Sequence, residues 1–223
     1  MKKQLSFTSK NNFKGILSVL FLMFFFLGKA QDKQIFESPN LKEIIKTHKT
    51  VAILPFNATI SYRKQPKDFD AAANKEAELK LGTDMQTGMY TFLLRKSSDY
   101  SVVVQDVEKT NALLKKNDLI DKLSETSPEE LAKLLGVDAV IKCSYSYQKT
   151  KSEGGAIVLT LLVGFGTGSV ATGALTMQIN DGKDGSLVWR FYKQMAEDVM
   201  SSPSAMMERM MRKVGRNFPY EKE

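Results

Sequence analysis

One cysteine, Cys143, and one histidine, His48, in 223 residues remove two classes of chemistry at the outset. A lone cysteine closes no internal disulfide, so stability must come from burial in any redox compartment. A lone histidine assembles no zinc set. With no histidine near it in sequence, Cys143 also lacks a base that would make it a nucleophile. His48, next to Lys49, reads as a surface residue. Cys143 alternates with Ile141 and Tyr145 and reads as a small buried hydrophobe. No grouped pair of acids stands out either. Glu76, Glu78, Glu129 and Glu130 fall on helix faces where solvation is the default. The expectation is a protein that is not an enzyme and holds no cofactor and no metal.

Acidic residues are missing from residues 1–30, which carry Lys2, Lys3, Lys10, Lys14 and Lys29. A basic start, an apolar run over 15–27 and small residues at Gly28 and Ala30 read as a secretory signal cut before Gln31. The apolar run is well short of the roughly 20 residues that span a bilayer. No cysteine stands at the cut, so the expected location is the periplasm or the outer-membrane surface, without a lipid anchor. The formal charge of the whole chain is +7, but removing those five lysines leaves 27 of 32 basic residues against 25 acidic ones. A balance so near neutral gives no footing for nucleic-acid binding.

Behind the signal, residues 31–50 are polar and read as a flexible lead-in, residues 51–218 as one α/β domain and 219–223 as a tail. Residues 51–56 (VAILPF) form a continuous apolar run, as in a strand buried on both faces, with Pro55 ending its ladder. A polar loop is expected over 57–67. In residues 68–96 the stripe Leu81, Met85, Gly88, Met89, Phe92 has helical spacing. Residues 100–105 read as a second strand and 107–116 as a short helix. Ser127-Pro128-Glu129-Glu130 opens a further helix with a cap, a proline and a capping-box glutamate, and Gly136 closes it.

Residues 139–148 alternate apolar and polar, as do 175–180, and a turn over 181–185 returns the chain as a strand over 187–192. Met206, Met207, Met210, Met211 and Val214 stripe a last helix and read as core. Strands joined by helices pair in parallel. The fold class is therefore α/β: one mixed sheet of about five strands, parallel in its first half and antiparallel hairpins in its second, with helices packed on it.

Two segments are candidate contact regions. Tyr62, Arg63, Lys64 and Lys67 concentrate charge at a strand end, where ligands of open α/β sheets gather. Residues 154–180 lack any charge and hold six glycines. Their glycine spacing fits neither a phosphate loop, since Ala174 stands where the lysine belongs, nor a dinucleotide fingerprint. The plain reading is a glycine-rich loop between two core strands. The rival is a membrane-active hairpin over 154–173, with Leu161, Gly164, Phe165, Gly166 and Gly168 toward lipid.

Three stretches together carry a family resemblance: VAILPF at 51–56, LGVDAVI at 135–141 and DGSLVW at 184–189. The chain resembles a group of envelope domains that includes the TolB amino-terminal domain, the curli-secretion (CsgG-like) subunits and the lipoproteins that activate peptidoglycan synthases. The resemblance implies a mixed sheet with packed helices, in a Gram-negative envelope, acting by contact with another envelope protein of unknown identity. The chain departs from the group in lacking a lipidated cysteine, a β-propeller and a second membrane hairpin. The function expected is a non-enzymatic periplasmic protein-binding or assembly module. The alternatives are an oligomeric secretion component that inserts the 154–173 hairpin into a membrane, with lipid contact, and an enzyme of unrecognised type.

Overall fold

The structure, a computed structural model, describes residues 33–149, 171–197 and 203–222. In chain order its elements are β1 (Lys33–Glu37), α1 (Leu41–Ile45), β2 (Thr50–Ile53), β3 (Asn57–Tyr62), α2 (Ala71–Arg95) and β4 (Val103–Val104). They continue with α3 (Val107–Lys116), α4 (Pro128–Leu135), β5 (Ala139–Lys149), β6 (Ala171–Asp181), β7 (Leu187–Glu197) and α5 (Pro203–Val214). Seven strands, rather than about five, form one mixed sheet in the order β1-β7-β6-β5-β2-β4, with β3 also on β5. The strands joined through helices, β2, β4 and β5, pair in parallel, while β5, β6 and β7 are antiparallel, as the connection rule requires.

The two additional strands come from segments whose sequence reads as loop. The lead-in over 31–50 is not loose where it is described, because Lys33–Glu37 pairs antiparallel with β7 along the sheet edge. The polar stretch after Pro55 is likewise β3, paired with Ser144–Lys149. Pro55 has no N–H to give a ladder. The last bond of β2's course along β5 is Leu54 N–H to the Ile141 carbonyl at 3.0 Å. The chain then steps over Leu54-Pro55-Phe56 and resumes beside the far half of β5. Thus β2 and β3 lie end to end on one strand.

Each face of the sheet has its own core. On one, Ile53, Ile141, Cys143, Tyr145, Leu175, Met177, Trp189 and Phe191 pack against α2 and α5. The predicted stripe supplies Leu81, Met85, Met89 and Phe92, and α5 supplies Met206, Met207, Met210, Met211 and Val214. Fully burying each such side chain is worth about 1.5–3 kcal/mol. Phe218 and Tyr220 join this core, so the tail expected over 219–223 is anchored at Tyr220. Tyr220 C=O accepts the Ser101 N–H at 2.9 Å. On the other face a smaller core of Ala52, Leu54 and Val140 packs under Leu114 of α3 and Leu131, Ala132 and Leu135 of α4. Helix α4 is fixed as its sequence dictates: the Ser127 side chain accepts the Glu130 N–H at 3.3 Å, and Gly136 takes φ 67°.

Helix α2 reaches the sheet through one glycine. A Cβ at Gly82 would collide with the backbone carbonyl of Phe56, at the step between β2 and β3. Replacing Gly82 with Ala should therefore destabilise the fold, although alanine is the better helix former by about 1 kcal/mol. Urea denaturation checks it: a Gly82→Ala protein as stable as the parent would refute the close approach.

Candidate functional site

The sheet is unevenly covered. Helices α3 and α4 cover β2 and the beginning of β5, around Ala52, Leu54 and Val140. Beyond it, Lys142 and Gln178 are half-buried, while Ser144, Ser146 and Gln148 of β5 are exposed. Register places these side chains in cross-strand rows. One row is Lys142, Gln178 and Arg190; the next is Asn57, Ser144, Thr176 and Tyr192; the third is Thr59, Ser146, Ala174 and Gln194. Hydroxyl and amide side chains thus tile the uncovered half, and only Lys142 and Arg190 bring charge to these rows. Such a surface keeps its hydrogen-bonding groups in water or gives them to a partner.

A groove of about 740 Å³ runs where this open face meets the helices. Lys75 and Leu79 of α2 stand along one side, Lys115 of α3 and Ile120 and Leu123 of the following connection along another. Leu54, Phe56, Lys142, Ser144, Thr176 and Gln178 form its sheet side. Lys142 and Lys115 pair with no carboxylate among the described residues, whereas Lys75 lies 3.7 Å from Glu78. Sequence reading missed this groove because its lining comes from five separated segments. Period-two alternation did put Lys142 and Ser144 on the face opposite the apolar side chains.

The expected contact residues lie elsewhere. Tyr62 ends β3, meets Phe69 edge-on with centroids 5.7 Å apart, and has the Lys149 ammonium 5.4 Å from its ring centre. Arg63 N–H donates to the Lys149 carbonyl at 2.9 Å, and Arg63, Lys64 and Lys67 are exposed. None of these four lines the groove. Leu161, Gly164, Phe165, Gly166 and Gly168 lie outside the described residues. Glu78, expected in solvent, is half-buried, and its Oε1 accepts the Ile60 N–H at 2.9 Å, capping the outer edge of β3. Cys143 is buried as expected, and burial pushes its thiol up, away from nucleophilic use.

His48 overturns its expectation outright, being 4% exposed. It sits between the tail and the turn after β6. Its Nδ1 is 2.7 Å from the Tyr220 hydroxyl, and its Nε2 is 3.6 Å from Asp181 Oδ1, beyond hydrogen-bond reach. Burial raises the Tyr220 pKa, with Asp181 and Asp138 adding to it, so the phenol keeps its proton in its hydrogen bond with Nδ1. Burial is also the main cause that lowers the His48 pKa, against the pull of Asp181. Beside it, Asp138 Oδ2 accepts the Lys49 and Thr50 N–H groups at 2.8 Å each and the Thr50 hydroxyl at 3.1 Å. Burial pushes the Asp138 carboxyl up, but these donors outweigh it and hold its pKa below the ordinary value. The conspicuous Asp of LGVDAVI is therefore a staple between β5 and the start of β2.

No family model matches the chain, and no curated protein does. Solved structures similar to it include the lipoprotein GNA1162 from Neisseria meningitidis, 15% identical over 76% of this chain and 95% of that one, with a TM-score of 0.42. PelC from Paraburkholderia phytofirmans, solved as a dodecamer, is 12% identical over 86% and 99%, with a TM-score of 0.42. The LpoB C-terminal domain from Salmonella enterica is 12% identical over 71% and 94%, with a TM-score of 0.34. Bacterial lipoproteins thus stand among the structural neighbours, in keeping with the group that the sequence resembles. At these TM-scores the likeness carries no argument about activity or partner.

The His48 arrangement predicts how stability depends on pH. A folded pKa below the unfolded one means that stability is complete above about pH 6.5 and falls as acid protonates the unfolded chain first. His48 is the only histidine, so between pH 7.5 and 5.5 this loss, at most about 1.4 kcal/mol per pH unit, is its signature. Urea midpoints should drop over that range in the parent and stay level in His48→Gln. An equal drop in both would show that the imidazole titrates freely.

Proposed function

We propose that the chain is an exported, non-enzymatic binding or assembly module of the bacterial envelope, which meets another protein through the open half of its sheet. One observation carries this reading. The rows from Asn57 to Tyr192 and from Thr59 to Gln194 present side-chain donors and acceptors from four strands on a rigid scaffold, with no helix over them among the described residues. Specific contact by such a surface needs shape and hydrogen bonds rather than reactive groups. The signal-like residues 1–30 support an envelope location. The charged corner at Tyr62, Arg63, Lys64 and Lys67 starts at the far end of β3, beyond those rows, and would extend the contact.

A photo-crosslinking residue at Ser146 should give a discrete adduct with an envelope protein in intact cells. The same residue at Glu108, on the first turn of α3, should give none. Adducts of equal yield at both positions, or none at either, would sink the reading.

A second reading has its own observation. Strands β5 and β6 stay in register to the pair Lys149 and Ala171, so the connection over 150–170, uncharged from residue 154 onward, leaves and re-enters on neighbouring strand ends. A membrane hairpin over 154–173 is compatible with that exit. Flotation of the purified protein with liposomes decides between the two: protein that rises supports lipid insertion, and protein left at the bottom removes it.

A further inference from the structure

We propose that the groove between the open sheet face, α2 and the connection after α3 binds a small anionic amphiphile, a carboxylate or phosphate carried on an apolar body. This goes beyond the protein-contact reading and stands whether or not a protein docks on the neighbouring rows.

Charge is the first argument. Three ammonium groups, of Lys75, Lys115 and Lys142, line the groove against one carboxylate, Asp121. They come from α2, α3 and β5, so three elements bring positive charge to one concavity. Lys142 is half-buried on the sheet between Val140 and Ser144, and no carboxylate among the described residues pairs with it. An ammonium that has lost part of its hydration without gaining a counter-charge favours an incoming anion.

The apolar half of the site is equally open. Leu79 is 57% exposed on the side of α2 that borders the groove, although its helix buries four other large apolar side chains of the predicted stripe. Ile120 and Leu123 are half-buried on the same groove, above the buried Leu54 and Phe56. These side chains offer a hydrocarbon body the surface it would shed from water, at about 25 cal/mol per Å².

Ser144, Thr176 and Gln178, whose side chains have no partner among the described residues, supply the hydrogen bonds a headgroup needs. A volume of about 740 Å³ falls within the roughly 300–1,000 Å³ usual for small-molecule sites. The groove thus matches one compact ligand with an apolar body and an acidic head.

Calorimetric titration of the purified protein with decanoate, decyl phosphate, decanol and inorganic phosphate tests the proposal, each amphiphile kept below its micelle concentration. Saturable one-site binding of decanoate or decyl phosphate is expected, with decanol and inorganic phosphate at least tenfold weaker. The better of the two acids identifies the head group. Lys142→Gln should weaken the acid at least tenfold. Lys115→Gln, at an exposed helix position that puts folding at little risk, should weaken it about threefold or more. Lys116→Gln, outside the groove, should change nothing. The proposal fails if neither acid saturates, if decanol matches the acids, if inorganic phosphate matches decyl phosphate, or if Lys115→Gln binds like the parent.

Discussion

The architecture depends on an asymmetry along a single strand. On one face β5 offers Ala139, Ile141, Cys143, Tyr145 and Tyr147, apolar to the end, and that side is buried along its length. On the other face only Val140 is apolar, followed by Lys142, Ser144, Ser146 and Gln148. A helix pays for its ordering by burying apolar surface. Helices α2 and α5 can therefore cover one face widely, whereas α3 and α4 find support only at the beginning of the other. The open polar rows and the groove beside them are what remains.

The same strand organises the pairing. Its first three residues take β2 and its last six take β3, because Pro55 interrupts what would otherwise be one long neighbour. The interruption exposes the Phe56 carbonyl toward Gly82 and sets α2 against the step in the chain. Side chains of α2 then satisfy the outer edge of β3: Glu78 accepts from Ile60 N–H, and Asn74 donates to the Ile60 carbonyl at 3.2 Å. An edge strand blunted in this way is a poor template for unplanned strand addition. The proposed contact with a partner therefore uses the sheet face rather than that edge.

At the opposite end of the same sheet, polar groups are taken out of use. Asp138 spends its carboxylate on backbone N–H groups, and His48 is held neutral under Tyr220. Both are residue types that often carry chemistry, and both work as fasteners, for the start of β2 and for the segment around Tyr220. Lys115 and Lys142, with no carboxylate partner among the described residues, line the groove together with the hydroxyls of Ser144 and Thr176. That separation of fixed and free polar groups supports recognition at the groove and a structural role for the histidine cluster.

How much of this the sequence determined follows from the range of the interactions involved. Helical spacing from Leu81 to Phe92, the capping box at Ser127 and Glu130, left-handed Gly136 and the alternation over 139–148 are local, and each stands where the sequence places it. Parallel pairing of β2, β4 and β5 follows from helical connections, a rule of chain topology. Strands β1 and β3 were illegible because edge strands with polar outer faces look like loop until a neighbour supplies their hydrogen bonds. His48 was misread for a related reason: its burial is made by Tyr220, 172 residues away, and by Asp181, and no local pattern encodes that meeting. Lys75, Lys115 and Lys142 each look like ordinary solvated charges along the chain. Only tertiary structure sets them around one cavity, because proximity between elements is decided by which apolar faces must be buried together.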